Sequence, residues 1–218
     1  MHRWNYRQKN SDRRREQLPI PQALDEISTS TSRPYPFEAN VWQTRGVVLF
    51  ADIIASTEIY DRIGDLKAFT LLSRYLVEVH AVLQKHNGRL VKTLGDAVMV
   101  YFRDPINALR CAKELVEWSG RPELSEANTG LRIGLAYGPL LRRQTARNED
   151  YFGQTVNLAA RLVGRAQCGE IVIGPCHRFS DEALAQLNDH FLVPAVEELK
   201  GFQEPVAFFK TKRIMGRE

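Results

Sequence analysis

The period of hydrophobic and polar positions changes several times along this chain, and each change predicts an element. Residues 46–53 are a short run of aliphatic and aromatic side chains, read as a buried strand. Ser56 and Thr57 then suit the cap of a helix start. Over 66–86 the apolar residues Phe69, Leu72, Leu76, Val79 and Leu83 recur every three or four positions, which predicts a helix. Asn87-Gly88 ends it, because both residues tolerate a positive φ. Residues 89–93 and 98–102 flank Leu94-Gly95-Asp96-Ala97 and predict a hairpin with its tip near Gly95. Asp104-Pro105 opens a second helix that runs to about Trp118, with Asp104 as its cap. A strand over 131–137 is expected to stop at Gly138. A helix with small residues on one side (Ala159, Ala160) spans 152–165. Residues 170–173 and the segments around Phe191 and Ala207 complete the sheet.

The order strand, helix, strand, strand, helix, strand is the βαββαβ pattern of the ferredoxin-like folds, here with appended elements. The expected class is therefore α+β: an open antiparallel sheet with helices on one face. The catalytic or binding domain is placed at 45–212. Residues 1–44 read as a partly disordered leader, punctuated by Pro19, Pro21, Pro34 and Pro36 around the polar stretch 28–32, with at most a helical turn at 22–27. There is no internal repeat. Such a fold hosts many functions, so function must come from particular residues.

Composition narrows the classes. A chain of 218 residues with 44% hydrophobic and 26% charged residues is ordinary globular material for one domain. Its longest apolar runs are too short to cross a bilayer. Its first stretch is charged where a signal peptide needs an apolar core. Three cysteines (Cys111, Cys168, Cys176) with no C-x-x-C spacing argue against a disulfide framework or zinc site, so a cytoplasmic setting is expected. The net charge of +4 is concentrated at the start: residues 1–45 hold eight Lys and Arg against five Asp and Glu, and the remainder holds 22 against 21. The run Arg13-Arg14-Arg15 reads as part of a solvated tail, and the nearly neutral body offers no dedicated nucleic-acid face.

Two carboxylates carry candidate chemistry. Asp52 ends the first strand and Asp96 sits at the hairpin tip, and in a ferredoxin-like core these two elements are neighbours. Acidic oxygens flanked by apolar strands are costly to bury without a cation. Hard divalent ions such as Mg²⁺ or Mn²⁺ accept such ligands and share their remaining shell with substrate phosphates, the arrangement of two-metal phosphoryl transfer. The plainer reading makes Asp52 a helix cap and Asp96 a turn residue. In the third segment, 150–161, Asn157 and Arg161 stand four apart on one helix face. An amide beside a guanidinium suits a ribose oxygen and a phosphate that gains charge.

Three blocks, F-A-D-I-I-A-S-T, K-T-L-G-D-A and D-Y-F-G-Q-T-V-N-L-A-A-R-L, resemble the catalytic motifs of the class III adenylate and guanylate cyclases, in the same order, within about 47–210. The resemblance implies that Asp52, Asp96 and the backbone carbonyl of Ile53 bind two divalent ions, Mg²⁺ or Mn²⁺. It further implies that Asn157 orients the ribose, Arg161 stabilises the α-phosphate, and Lys200 in Leu199-Lys200-Gly201 holds the β- and γ-phosphates. One of Arg142, Arg143 or Arg147 also reaches the triphosphate. Lys92 and Asp150 occupy the base-reading positions. A lysine donates to adenine N1 and a carboxylate accepts from the N6 amino group, so ATP is favoured over GTP. The resemblance also implies a homodimer with active sites shared between protomers. Where many members carry Gly, this chain has Ala55. The alternatives are a pyrimidine cyclase making cyclic UMP or cyclic CMP in anti-phage defence, and an inactive nucleotide-binding module. A ferredoxin-like RNA-binding module would need paired aromatics in an RNP-like pattern, an arrangement that 98–102 lacks.

Overall fold

The structure, a computed structural model, describes residues 40–120, 130–144, 148–188 and 190–213. Readings for residues 1–39 and for Arg147 lie outside them. Among the described residues, eight strands and five α-helices follow in this order: β1 (Asn40–Ile53), α1 (Ser56–Ile63), α2 (Asp65–Lys85), β2 (Arg89–Leu94), β3 (Ala97–Phe102), α3 (Pro105–Ser119), β4 (Leu131–Gln144), β5 (Glu149–Phe152), α4 (Gln154–Val163), β6 (Ile171–Gly174), α5 (Asp181–Leu184), β7 (His190–Glu197) and β8 (Val206–Arg213). The sheet runs β2-β3-β1-β4-β6-β8-β7, with β5 paired to β4. Its first four strands, β2-β3-β1-β4, are the antiparallel ferredoxin-like core.

Three expectations need correction. The sheet is not wholly antiparallel, because β6 pairs with β4 in parallel. The helices are not confined to one face. Val47, Leu49, Ala51 and Ile53 of β1 join a core with Ile59, Tyr75, Val79 and Leu83 of α1 and α2 and Leu109 and Leu115 of α3. Val48 and Phe50 join a second core with Leu158, Ala159 and Leu162 of α4. Burial on both faces explains why 46–53 is an unbroken apolar run rather than an alternating one. Thirdly, Gly138 does not end β4, which continues to Gln144 and so gives β1 a partner from Asn40 onward. A Cβ at Gly138 would lie 2.3 Å from Arg178 Nη1 and 2.6 Å from Thr155 Oγ1, so glycine there serves a close approach, not a turn. Gly134 has the same role under α4: a Cβ would lie 2.2 Å from the Val163 backbone nitrogen.

The helix starts and faces also differ in detail. Ser56 and Thr57 lie inside α1 rather than capping it, and the N-cap is Ala55 at φ 59°, without a side-chain cap. Asp104 does cap α3, accepting from Ile106 N at 3.0 Å. Asn87 takes the positive φ at the end of α2. The buried stripe of α2 is Ala68, Tyr75, Val79, Val82 and Leu83. Phe69, expected in the core, is 64% exposed, because it borders an open cleft instead.

Candidate active site

Asp52 occupies the penultimate position of β1, directly opposite Arg132 of β4. Arg132 donates from Nε (2.8 Å) and Nη2 (2.5 Å) to Oδ2 of Asp52. Asp96 follows Gly95, whose φ of 66° makes the two-residue hairpin turn. From that turn Asp96 borders a cleft of about 550 Å³ with Ser56 and Thr57 of α1 and Phe69, Leu72 and Tyr75 of α2. Tyr75 is 1% exposed, and its hydroxyl has no hydrogen-bond partner among the described residues. Burial, reinforced by the charges of Asp52 and Asp96, holds its phenol above the ordinary tyrosine range. Ile53 turns its side chain into the core.

Among the described residues no three His, Cys, Asp or Glu gather at metal-binding spacing. Asp52, Asp96 and a backbone carbonyl would supply only part of a shell of oxygen donors. That donor set fits a hard divalent ion completed by water and phosphate, and the unmet Tyr75 hydroxyl marks the same locus as incomplete.

The second group lies along β2 and β5. Lys92 Nζ donates to both oxygens of Asp150, at 2.9 and 2.8 Å, and Asp150 Oδ1 also accepts from Tyr151 N at 2.8 Å. The Phe152 ring lies 5.9 Å from Lys92 Nζ and 5.0 Å from the Arg143 guanidinium. Tyr151 stacks on Tyr101 at 4.2 Å and donates to Glu149, which also accepts from Arg89 and Arg142 at 2.5 Å each. Burial opposes the charge on Glu149, but the bonds from Tyr151, Arg142 and Arg89 outweigh it and hold the carboxyl below its usual range. This bracing separates the candidate arginines. Arg142 is engaged by Glu149, by Gln144 and by the Trp42 ring, whereas Arg143 stands beside Phe152 at the Lys92–Asp150 pair.

The third group is on α4, which starts at Gln154 because Phe152 remains in β5 and Gly153 turns at φ 116°. Asn157 and Arg161 both stand exposed on it. Arg161 Nε donates to the Lys200 carbonyl at 3.3 Å, in a turn anchored by buried Leu199 and by Gly201 at φ 92°. So the fold brings Asp52 near Asp96, Lys92 onto Asp150, and Arg161 onto Lys200. Among the described residues Asp52 is bonded to Arg132 and Arg161 to the Lys200 carbonyl, not to one another. Sequence reasoning missed Arg132, Tyr75 and Glu149. Arg132 needs the β1–β4 register to be found, and Tyr75 was one position off the expected helix stripe.

A family described as "Adenylate and Guanylate cyclase catalytic domain" matches residues 43–191. An uncharacterized protein of Mycobacterium tuberculosis is 36% identical over 190 residues, covering 83% of this chain and 46% of that protein. An adenylate cyclase of Streptomyces coelicolor is 33% identical over 129 residues, covering 59% of this chain and 32% of that protein. The chain thus spans less than half the length of these relatives. Among solved structures, the adenylyl cyclase CyaB from P. aeruginosa superposes with a TM-score of 0.65 at 24% identity, over 82% of this chain and 97% of that one. An adenylate cyclase from Trypanosoma brucei in its monomeric state gives 0.68 at 19% identity, over 86% and 93%. These two likenesses bear on the fold. Among the described residues no helix is long and apolar enough to cross a membrane.

Proposed function

Because the chain belongs to the adenylate and guanylate cyclase catalytic domain family, we propose that it closes a nucleoside triphosphate into a 3′,5′-cyclic nucleotide with release of pyrophosphate, ATP being the substrate. The observation that carries this reading is that Asp52, at the end of β1, and Asp96, at the tip of the β2–β3 hairpin paired to β1, lie at the same end of the sheet, with Asp96 bordering a cleft. Bound by these carboxylates and the Ile53 carbonyl, two Mg²⁺ or Mn²⁺ ions would neutralise the triphosphate and lower the pKa of the 3′-hydroxyl. The 3′-hydroxyl gives up its proton to solvent, its oxygen attacks the α-phosphorus in line, and the bond from the α-phosphorus to the bridging oxygen breaks as pyrophosphate leaves. Asn157 holds the ribose. Arg161 meets the charge that gathers on the α-phosphate, and its bond to the Lys200 carbonyl supports a shared role with Lys200 on the phosphate chain. No side chain serves as a dedicated general base.

The adenine assignment rests on Lys92 and Asp150. Their mutual bonds hold a donor and an acceptor side by side, the order that adenine N1 and N6 require. Arg143, over Phe152 at the same place, is the arginine of the three that we assign to substrate. Asp52 and Asp96 on one side, and Asn157 and Arg161 on the other, support a homodimer in which each site draws one set from each protomer.

The test is incubation of the purified protein with ATP, GTP, UTP and CTP in turn, with Mn²⁺, and identification of the products. Cyclic AMP from ATP is expected to dominate. A cyclic pyrimidine nucleotide as main product would overturn the base assignment and leave ring closure standing. No cyclic product from any of the four would overturn the enzyme reading.

A further inference from the structure

Tyr75 is given no role in the proposed reaction, yet it is at odds with its surroundings. It is 1% exposed, and its hydroxyl is buried without a hydrogen-bond partner among the described residues. An unmet buried hydroxyl is unfavourable, so native proteins rarely leave one without a reason. The ring cannot swing out. Trp118 packs against it with centroids 5.9 Å apart, and Val79 and Leu83 share its core. Its place is set by α2, and it borders the cleft that Gly95, Asp96, Ser56 and Thr57 also line. Both Asp52 and Asp96 bear electrostatically on it.

A phenol that borders the same cleft as Asp96 has one thing to offer a carboxylate, since ionised carboxylates only accept hydrogen bonds. Asp52 already takes two bonds from Arg132, both on Oδ2. We propose that the Tyr75 hydroxyl is a positioning group for the divalent-cation site: it donates to a carboxylate oxygen of the Asp52–Asp96 pair when that pair turns to hold a cation. Partners of this kind fix the direction of a ligand's lone pairs and raise affinity for the ion without touching it. The inference rests on the two-carboxylate reading above and goes beyond it by naming what orients the ligands.

The experiment is Mn²⁺ binding to the full chain without nucleotide, followed by the electron paramagnetic resonance of the free ion. It compares wild type with Tyr75→Phe, Asp96→Asn and, as a distant control, Tyr137→Phe. Tyr75→Phe removes one oxygen and keeps the ring against Trp118, so it is expected to melt at or above the wild-type temperature. Its Mn²⁺ affinity should fall about tenfold, while Tyr137→Phe stays at the wild-type value. An unchanged affinity in Tyr75→Phe, with binding lost in Asp96→Asn, overturns the role of Tyr75 alone. Equal Mn²⁺ binding by wild type and Asp96→Asn overturns the cation reading itself, and this inference with it. A Tyr75→Phe protein that is less stable than wild type also overturns the inference, because its hydroxyl then has a structural partner.

Discussion

Arg132 and Asp52 face each other across the β1–β4 ladder, and two guanidinium nitrogens of the first reach one carboxylate oxygen of the second. The pair gives Asp52 a positive neighbour in the absence of any ion. Arg132→Ala leaves that half-buried carboxylate uncompensated, and a loss of about 1–3 kcal/mol is expected in urea unfolding. Added Mn²⁺ should narrow the gap, because an ion that binds the folded state supplies the missing charge. Equal stability of variant and wild type in metal-free buffer would show that the pair contributes nothing.

Lys92 and Asp150 make a second prediction. Lys92→Ala and Asp150→Ala should each lower kcat/KM for ATP by about ten- to a hundredfold, since each leaves one edge atom of the bound base unpaired. The double variant should lose less than the product of the two, as the groups also bind each other. Kinetics on all four triphosphates check this: an equal loss on every base would make the pair structural instead.

The proposal that active sites are shared between protomers is open to complementation. Asp52→Ala and Asn157→Ala should each be inactive alone. Mixed in equal amounts, they should recover about a quarter to a half of wild-type activity, since each mixed dimer keeps one intact site. No recovery after subunit exchange would place both sets of residues in one protomer.

Gly134 ties the position of α4 to β4. A Cβ there would meet the Val163 nitrogen at 2.2 Å and the Ala159 carbonyl oxygen at 2.8 Å, both backbone atoms that cannot swing aside. Gly134→Ala should destabilise by about 1–3 kcal/mol in urea unfolding. It should also reduce kcat, because α4 carries Asn157 and Arg161. Thermal and urea denaturation beside steady-state assays would test both halves.

Glu149 sets a pH dependence. Its carboxyl titrates lower in the folded protein than in the unfolded chain, since bonds from Tyr151, Arg142 and Arg89 outweigh its burial. Its contribution is therefore complete above the unfolded value of about 4.3 and disappears as pH falls through the lower folded value. Unfolding measured from pH 6 down to about pH 3 should show a shallower loss in Glu149→Gln than in wild type. Parallel acid limbs in the two proteins would count against this role.

How much of this was legible beforehand differs from one element to the next. The β2–β3 hairpin around Gly95 and the Asp104-capped helix were readable because their signals are local: a turn residue, a cap, a proline. Gly138 misled because a glycine within a strand looks the same whether it turns the chain or admits a neighbour. Only Arg178 and Thr155, 40 and 17 residues further on, show which it is. Phe69 misled because helical spacing marks an apolar stripe without saying whether a core or an open cleft lies opposite.

The sequence by itself determined the family, the order of the core elements and the candidate residues Asp52, Asp96, Lys92, Asp150, Asn157 and Arg161, since each is written in a short contiguous motif. Tertiary structure alone decided the Arg132 partnership of Asp52, the second helical face under α4, the anchoring of the Tyr151 hydroxyl by Glu149, and the unmet hydroxyl of Tyr75. The reason is range. Propensity, capping and turn chemistry act over a few residues, whereas strand register and helix packing join positions far apart, such as 52 with 132 and 75 with 96, and set the field each charge feels.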